Sequence, residues 1–188
     1  MKWSLLFHCA TVSLFLAPLG VSVRGDDLKQ PDRLMVSRSD LVYEKPAVRP
    51  VEGQPIGNGR MGTMVWTTPD AIHLQINRVD VFAVNSGHQG RRVGATDYCC
   101  GIVGVSIHVG GKPFAPGEKQ FRQRLSLANA ECTIESQAIQ VRLFVSANSD
   151  LLVMEIDDQR LPSESFMVNV SMLRKPVVKT GEHVATTN

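Results

Sequence analysis

Aromatic residues are scarce in this 188-residue chain, which has two Trp, two Tyr and seven Phe. Trp3 lies in the apolar N-terminal stretch, which leaves Trp66, Tyr43 and Tyr98 as the Trp and Tyr residues of the remainder. A module that stacks sugar rings on an exposed aromatic platform has only Tyr98 as an obvious candidate, and Tyr98 is expected to pack beside Cys99. Trp66 is expected to anchor the core beside its strand. Runs of lysine or arginine are also missing, so a nucleic-acid partner has no electrostatic footprint. No segment sustains a 3.6-residue apolar period over ten or more positions, which excludes a helical bundle.

What the N-terminus does have is a short cation followed by "WSLLFHCATVSLFLAPLGVSV", free of charge, then Val23 and Gly25 at small-residue positions ahead of Asp26-Asp27. That order is a secretory signal peptide with cleavage near Gly25. The apolar run approaches the roughly 20 residues of a membrane anchor, but Pro18, Gly20 and the small residues before Asp26 point to cleavage. The expected location is therefore secreted or periplasmic, with no membrane association after processing. Removing residues 1–25 also removes Lys2 and Arg24, which leaves 18 basic residues against 18 acidic ones. The remaining length suits one domain that buries about two-thirds of its surface.

Three cysteines remain: Cys99, Cys100 and Cys132. Outside the cytosol a disulfide is permitted, and the odd count leaves one thiol over. Adjacent cysteines join only through a strained ring, so the expected pair is Cys132 with Cys99 or Cys100; buried, inert thiols are the alternative. "DYCC" lacks paired C-x-x-C spacing and a nearby His pair, so no metal and no cofactor are expected.

The rest reads as strand after strand. "IVGVSIHV" turns Val103, Val105, Ile107 and Val109 one way and Gly104, Ser106 and His108 the other. "AIHLQIN" opposes Ile72, Leu74 and Ile76 to His73, Gln75 and Asn77. "AIQVRLFV" aligns Ile139, Val141, Leu143 and Val145, and "FMVNVSM" aligns Phe166, Val168, Val170 and Met172. "LLVMEI" is apolar on both faces, as a covered central strand is. Turn residues separate the runs: Thr67-Thr68-Pro69-Asp70, Asn148-Ser149-Asp150 and the longer "GGKPFAPGEKQ". Eight or so short strands at near-regular spacing predict an all-β chain of antiparallel sheets stacked as a sandwich. The expected organisation is a signal peptide over 1–25, a lead-in over 26–42, the sandwich over 43–173 and a polar segment over 174–188. The least patterned stretch, Asn85 to Tyr98, reads as a long surface loop.

"PIGNGRMGTMVW", Pro55 to Trp66, raises a choice between structure and binding. Gly57 and Gly59 supply tight-turn geometry and Asn58 tolerates the left-handed region. The same residues would let backbone approach a neighbour while Arg60 presents five donors. Turn chemistry accounts for every glycine, and any further role for Arg60 is expected at a domain interface before a substrate. Gln75 and Asn77 share a polar strand face with His73; such a row is a solvated face or, less simply, an amide pair for a sugar or a partner domain. The candidate binding residues are thus Asn58, Arg60, Gln75 and Asn77. Asp80 and Asp97 are the nearest carboxylates, and Asp157-Asp158 reads as turn chemistry. Hydrolysis of a glycoside needs two carboxyl groups across the scissile bond, and no pair is assigned here.

Three ordered blocks carry a resemblance. "PIGNGRMGTMVW", "IHLQINRVDVF" and "FRQRLSLANAECTIESQAIQVRLFVSANSDLLVMEI" resemble glycoside hydrolase family 95, the inverting alpha-L-fucosidases; the last block matches at Arg122, Leu125, Leu127, Ala130, Ser146, Asp150, Leu152 and Val153. "LQINRVDVFAVNS" followed by "TDYC" is closer still to the N-terminal module called domain of unknown function 5703. The resemblance spans roughly Tyr43 to Met172. It implies an N-terminal β-super-sandwich that packs against a following (α/α)6 barrel, and it places the catalytic carboxyl groups in that barrel, a partner that would lie beyond this chain. Catalytic residues are therefore not expected here, and a carbohydrate would be met through the full-length protein. Where the fucosidases have an acidic pair and a tryptophan, this sequence has Arg78-Val79 and Phe82, which puts fucose as the substrate in doubt. A free-standing carbohydrate-binding or interaction module is the alternative.

Overall fold

The structure, a computed structural model, describes residues 2–8, 30–83, 98–99, 101–117, 120–162 and 164–173, with 2–8, 82–83 and 98–99 described for their backbone alone. Two antiparallel sheets make up the fold. The first holds β1 (Lys2–His8), β2 (Leu41–Tyr43), β9 (Arg122–Ser126), β10 (Glu131–Ser136), β11 (Ile139–Val145) and β12 (Leu151–Asp158), in the order β1-β12-β11-β10-β9-β2. The second holds β3 (Gln54–Gly57), β4 (Met61–Thr68), β5 (Ala71–Arg78), β8 (Val103–His108) and β13 (Met167–Met172), in the order β13-β8-β5-β4-β3. A two-residue pair, β6 (Phe82–Ala83) with β7 (Tyr98–Cys99), lies outside both. The all-β sandwich expected from alternation is the fold.

Period-two alternation explains the core directly. On β5, Ile72 and Leu74 are fully buried and Ile76 nearly so, while His73, Gln75 and Asn77 look outward. Opposite, Leu152, Met154 and Ile156 of β12 and Val141 and Leu143 of β11 fill the gap between the sheets. Burying each such side chain contributes about 1.5–3 kcal/mol. The loop after Val109 adds a plug: Phe114 is fully buried and meets Phe121 edge-on with ring centroids 6.3 Å apart. Pattern reading gave no sign of that plug, because a lone aromatic in a glycine- and proline-bearing loop has no period.

Two amides cross the core in opposite directions. Gln54 of β3 donates to the Leu41 carbonyl of β2 at 3.0 Å, and Gln123 of β9 donates to the Val65 carbonyl of β4 at 3.1 Å. Each glutamine stands in one sheet and bonds the other. The Cys132 thiol sits between them and donates to Gln54 Oε1 at 3.4 Å.

Trp66 departs from expectation. Its neighbours Val65 and Thr67 are fully buried, so alternation turns Trp66 to the outer face of β4. There it stacks on His73 of β5, with ring centroids 5.3 Å apart and planes 16° from parallel. The period-two rule wins over the habit of reading a tryptophan as core. β13 also departs in part: Phe166 and Val168 pack on the core, whereas Val170 and Met172 stay exposed. Ahead of the sandwich, the lead-in contains one short helix, α1 (Gln30–Ser37), with no buried residue.

Candidate functional site

The β3–β4 turn is built around Asn58. Its Oδ1 accepts from the backbone N–H of Arg60 at 2.9 Å and of Met61 at 2.8 Å, which closes the turn on itself. Its Nδ2 reaches across to the other sheet and donates to the carbonyls of Ser146 at 2.7 Å and Ser149 at 3.1 Å. One side chain thus satisfies four backbone groups from two turns. Gly59 holds a φ of +87°, and a Cβ on Gly57 would come within 2.8 Å of the Met61 carbonyl oxygen. Both glycines are there because of the turn.

Charge reinforces the same corner. Asp150, in the β11–β12 turn, faces Arg60 at 3.2 Å and Arg78 at 3.1 Å. Arg78 also holds Asp80 through two hydrogen bonds of 2.8 and 2.7 Å. The Arg78 hydrogen bonds hold the Asp80 carboxyl below the usual carboxylate range. Arg60 is largely solvent-exposed, whereas Asp150 and Arg78 are mostly covered. A cavity of about 270 Å³ separates the two turns.

Gln75 and Asn77 lie elsewhere, on the outer face of β5. With Met64, Gly57, Gly62 and Arg78 they line an open groove of about 500 Å³. Asn77 Oδ1 is buried and has no hydrogen-bond partner among the described residues. The four candidate residues therefore divide only in part: Asn58 lies in the corner between the sheets, Gln75 and Asn77 line the groove on the outer face of β4 and β5, and Arg60 borders both. Further along the same outer face, His73 bridges Ser106 Oγ at 2.9 Å and Thr68 Oγ1 at 2.8 Å. Burial pushes the His73 pKa down, helped by the neighbouring charge of His108, against a smaller opposing pull from Asp70.

Two further locks had no sequence signal. Asp158 ends β12 and is nearly fully buried. It accepts from the Arg160 backbone at 3.0 Å and from its guanidinium at 2.9 and 2.8 Å, and Arg160 donates onward to the Gly110 carbonyl at 2.9 Å and to the Val109 carbonyl. Burial alone would raise the Asp158 carboxyl, yet the Arg160 hydrogen bonds and charge hold it low. Asp157-Asp158, read as turn chemistry, is thus half correct: Asp158 closes a turn and also ties β12 to the end of β8. At the other side, Arg124 binds Asp40 at 2.9 Å and Asp40 accepts from the Leu127 backbone at 2.9 Å.

Cys132 is a free thiol, fully buried, whose pKa burial pushes up to about 12. Its expected pairing with Cys99 or Cys100 turns on side chains outside the described residues, as do Asp97 and most of the loop from Asn85 to Tyr98. Among the described residues no group of three or more His, Cys, Asp or Glu side chains is placed to hold a metal ion. No helix of the described residues is long and apolar enough to cross a membrane.

Among curated proteins none matches the chain. Residues 42–182 match the model of the N-terminal part of a domain of unknown function, DUF5703. That span contains the Asn58 corner, the groove beside Gln75 and Asn77, and every strand from β3 to β13. The chain belongs to the DUF5703 family, as its N-terminal domain.

Proposed function

We propose that this domain is the non-catalytic N-terminal sandwich of a secreted glycoside-hydrolase-like protein, supporting a catalytic helical barrel that follows it. The observation behind this reading is the use made of "GNGR". Asn58 spends its amide on four backbone groups, and Arg60 faces Asp150 across the sheets. A motif occupied in this way holds the scaffold together. The carboxylates beside it point in the same direction: Asp80 and Asp150 are paired with Arg78, and a general acid for glycosidic cleavage needs a raised pKa and an unblocked approach. Arg78, which departs from the fucosidase pattern, is matched here by Asp150.

Export rests on the leader pattern of residues 1–25, and carbohydrate as the substrate class rests on the three-block resemblance to the inverting fucosidases. The test is an assay of the complete reading-frame product and of the chain ending at Asn188 against a panel of aryl glycosides, alpha-L-fucoside included. Turnover by the complete product and none by the shorter chain is the expected result. Turnover by the shorter chain defeats the proposal.

A second reading, a carbohydrate-binding module, is favoured by one observation. The groove of about 500 Å³ beside Gln75 and Asn77 contains a buried, unpartnered acceptor on Asn77. It predicts millimolar or tighter sugar affinity from the sandwich alone, weakened by Asn77→Ala. Calorimetry that detects no heat with any neutral sugar removes it.

A further inference from the structure

The Asn58-Gly59 dipeptide is a chemical weak point as well as a turn. Asparagine is followed by glycine once in the chain, at Asn58, whereas Asn77, Asn129, Asn148 and Asn169 are followed by Arg, Ala, Ser and Val. The backbone nitrogen after an asparagine can attack the side-chain amide carbon and close a five-membered imide. A following glycine favours that attack, because no Cβ obstructs the approach and the backbone turns freely. Gly59 is exposed, and a Cβ built on it would meet nothing within 4 Å. The cavity of about 270 Å³ lies against both residues, so solvent reaches the dipeptide.

The fold holds that reaction back. Attack requires Cγ of Asn58 to swing onto the Gly59 nitrogen and to pass from planar to tetrahedral. In the closed corner the amide is held at both ends. Oδ1 accepts from the Arg60 and Met61 N–H groups at 2.9 and 2.8 Å, and Nδ2 donates to the Ser146 and Ser149 carbonyls at 2.7 and 3.1 Å. The two N–H groups draw charge from the amide oxygen and by themselves favour attack at Cγ. The restraint therefore lies at Nδ2, which is also the leaving group and is fastened to the opposite sheet. Asp150 keeps the two turns together by facing Arg60 at 3.2 Å and Arg78 at 3.1 Å.

We propose that Asn58 is a site of spontaneous deamidation, that opening of the corner sets its rate, and that conversion then unlocks the corner irreversibly. The Gly59 nitrogen gives up its proton and bonds to Cγ, the Cγ–Nδ2 bond breaks, and Nδ2 takes a proton and leaves as ammonia. Solvent water then adds to one of the two imide carbonyls and breaks its bond to the Gly59 nitrogen, which regains a proton. The product is aspartate or isoaspartate. Either one replaces a two-hydrogen donor with a carboxylate set against the Ser146 and Ser149 carbonyls, beside Asp150. Acceptors then face acceptors, and the tie between the turns is lost. Isoaspartate also lengthens the backbone of a turn in which a Cβ on Gly57 would already come within 2.8 Å of the Met61 carbonyl oxygen. None of this depends on the scaffold reading or on the fate of residues 1–25.

The test ages the 188-residue chain at mildly alkaline pH, in native buffer and in concentrated urea, and follows the tryptic peptide ending at Arg60 by mass spectrometry. In urea Asn58 should convert before every other asparagine. In native buffer it should convert at least about tenfold more slowly, because only the opened corner reacts. Asp150→Ala removes the partner of Arg60 without altering Asn58 or Gly59, and should raise the native rate while leaving the rate in urea unchanged. Aged protein, and Asn58→Asp, should unfold at lower urea concentration than fresh protein. Four results overturn the proposal: equal rates in native buffer and urea, another asparagine converting first in urea, an unchanged native rate in Asp150→Ala, and an unchanged unfolding midpoint after conversion. The comparison of native buffer with urea needs no variant, so it decides the matter even where Asp150→Ala does not fold.

Discussion

The corner at Asn58 and the flank at β12–β13 belong to the same sandwich but are finished by different means. At the corner, two turns from different sheets are locked by an amide with four hydrogen bonds and by a carboxylate facing two guanidinium groups. At the flank, apolar residues on the core-facing side of β13 are exposed, and the outermost described strand of the first sheet is β1 (Lys2–His8). Polar side chains fix geometry where the fold is complete, since a buried polar group demands its partner. The exposed apolar residues of β13 carry no such requirement.

The largest expected effect tests the tie between β12 and β8. Asp158→Ala leaves Arg160 buried without its counter-charge and should cost about 3–5 kcal/mol in urea unfolding. A loss below about 1 kcal/mol would mean that the flank is not anchored there. The contrast between finished core and open flank is measured by two methionines. Met154→Ala should cost about 2–5 kcal/mol, because Met154 is fully buried, whereas Met172→Ala, at 66% exposure, should cost under about 0.5 kcal/mol. Equal losses would erase the contrast.

Cys132 gives a pH-dependent prediction. The folded thiol keeps its proton to about pH 12, whereas an unfolded cysteine titrates near about 8.5. Between those values the folded state binds more protons, so stability falls as pH rises above about 9, by up to about 1.4 kcal/mol per pH unit. Cys132→Ala should flatten that part of the curve, read as the difference between the two proteins. A small effect is also expected at Arg60, whose side chain is largely exposed: Arg60→Ala should cost under about 1 kcal/mol.

The strands were legible because alternation is a local property. Ile72, Leu74, Val105, Ile107, Val141 and Leu143 all face inward as their spacing requires. The same rule, applied strictly, places Trp66 outside; only an expectation about tryptophan placed it in the core. The locks were not legible, because each joins residues far apart in sequence. Asn58 and Ser146 are separated by 88 positions, and Gln123 and Val65 by 58. Nothing at either end records the other. The glycines of "GNGR" announced a tight turn, and turn chemistry does account for them, but not the second sheet that the turn grips.

That grip is most directly tested by urea unfolding of Asn58→Ala. The substitution strips the amide from both turns and should lower stability by about 2 kcal/mol with an unchanged m-value. Unchanged stability would contradict the account and return the motif to the search for a ligand.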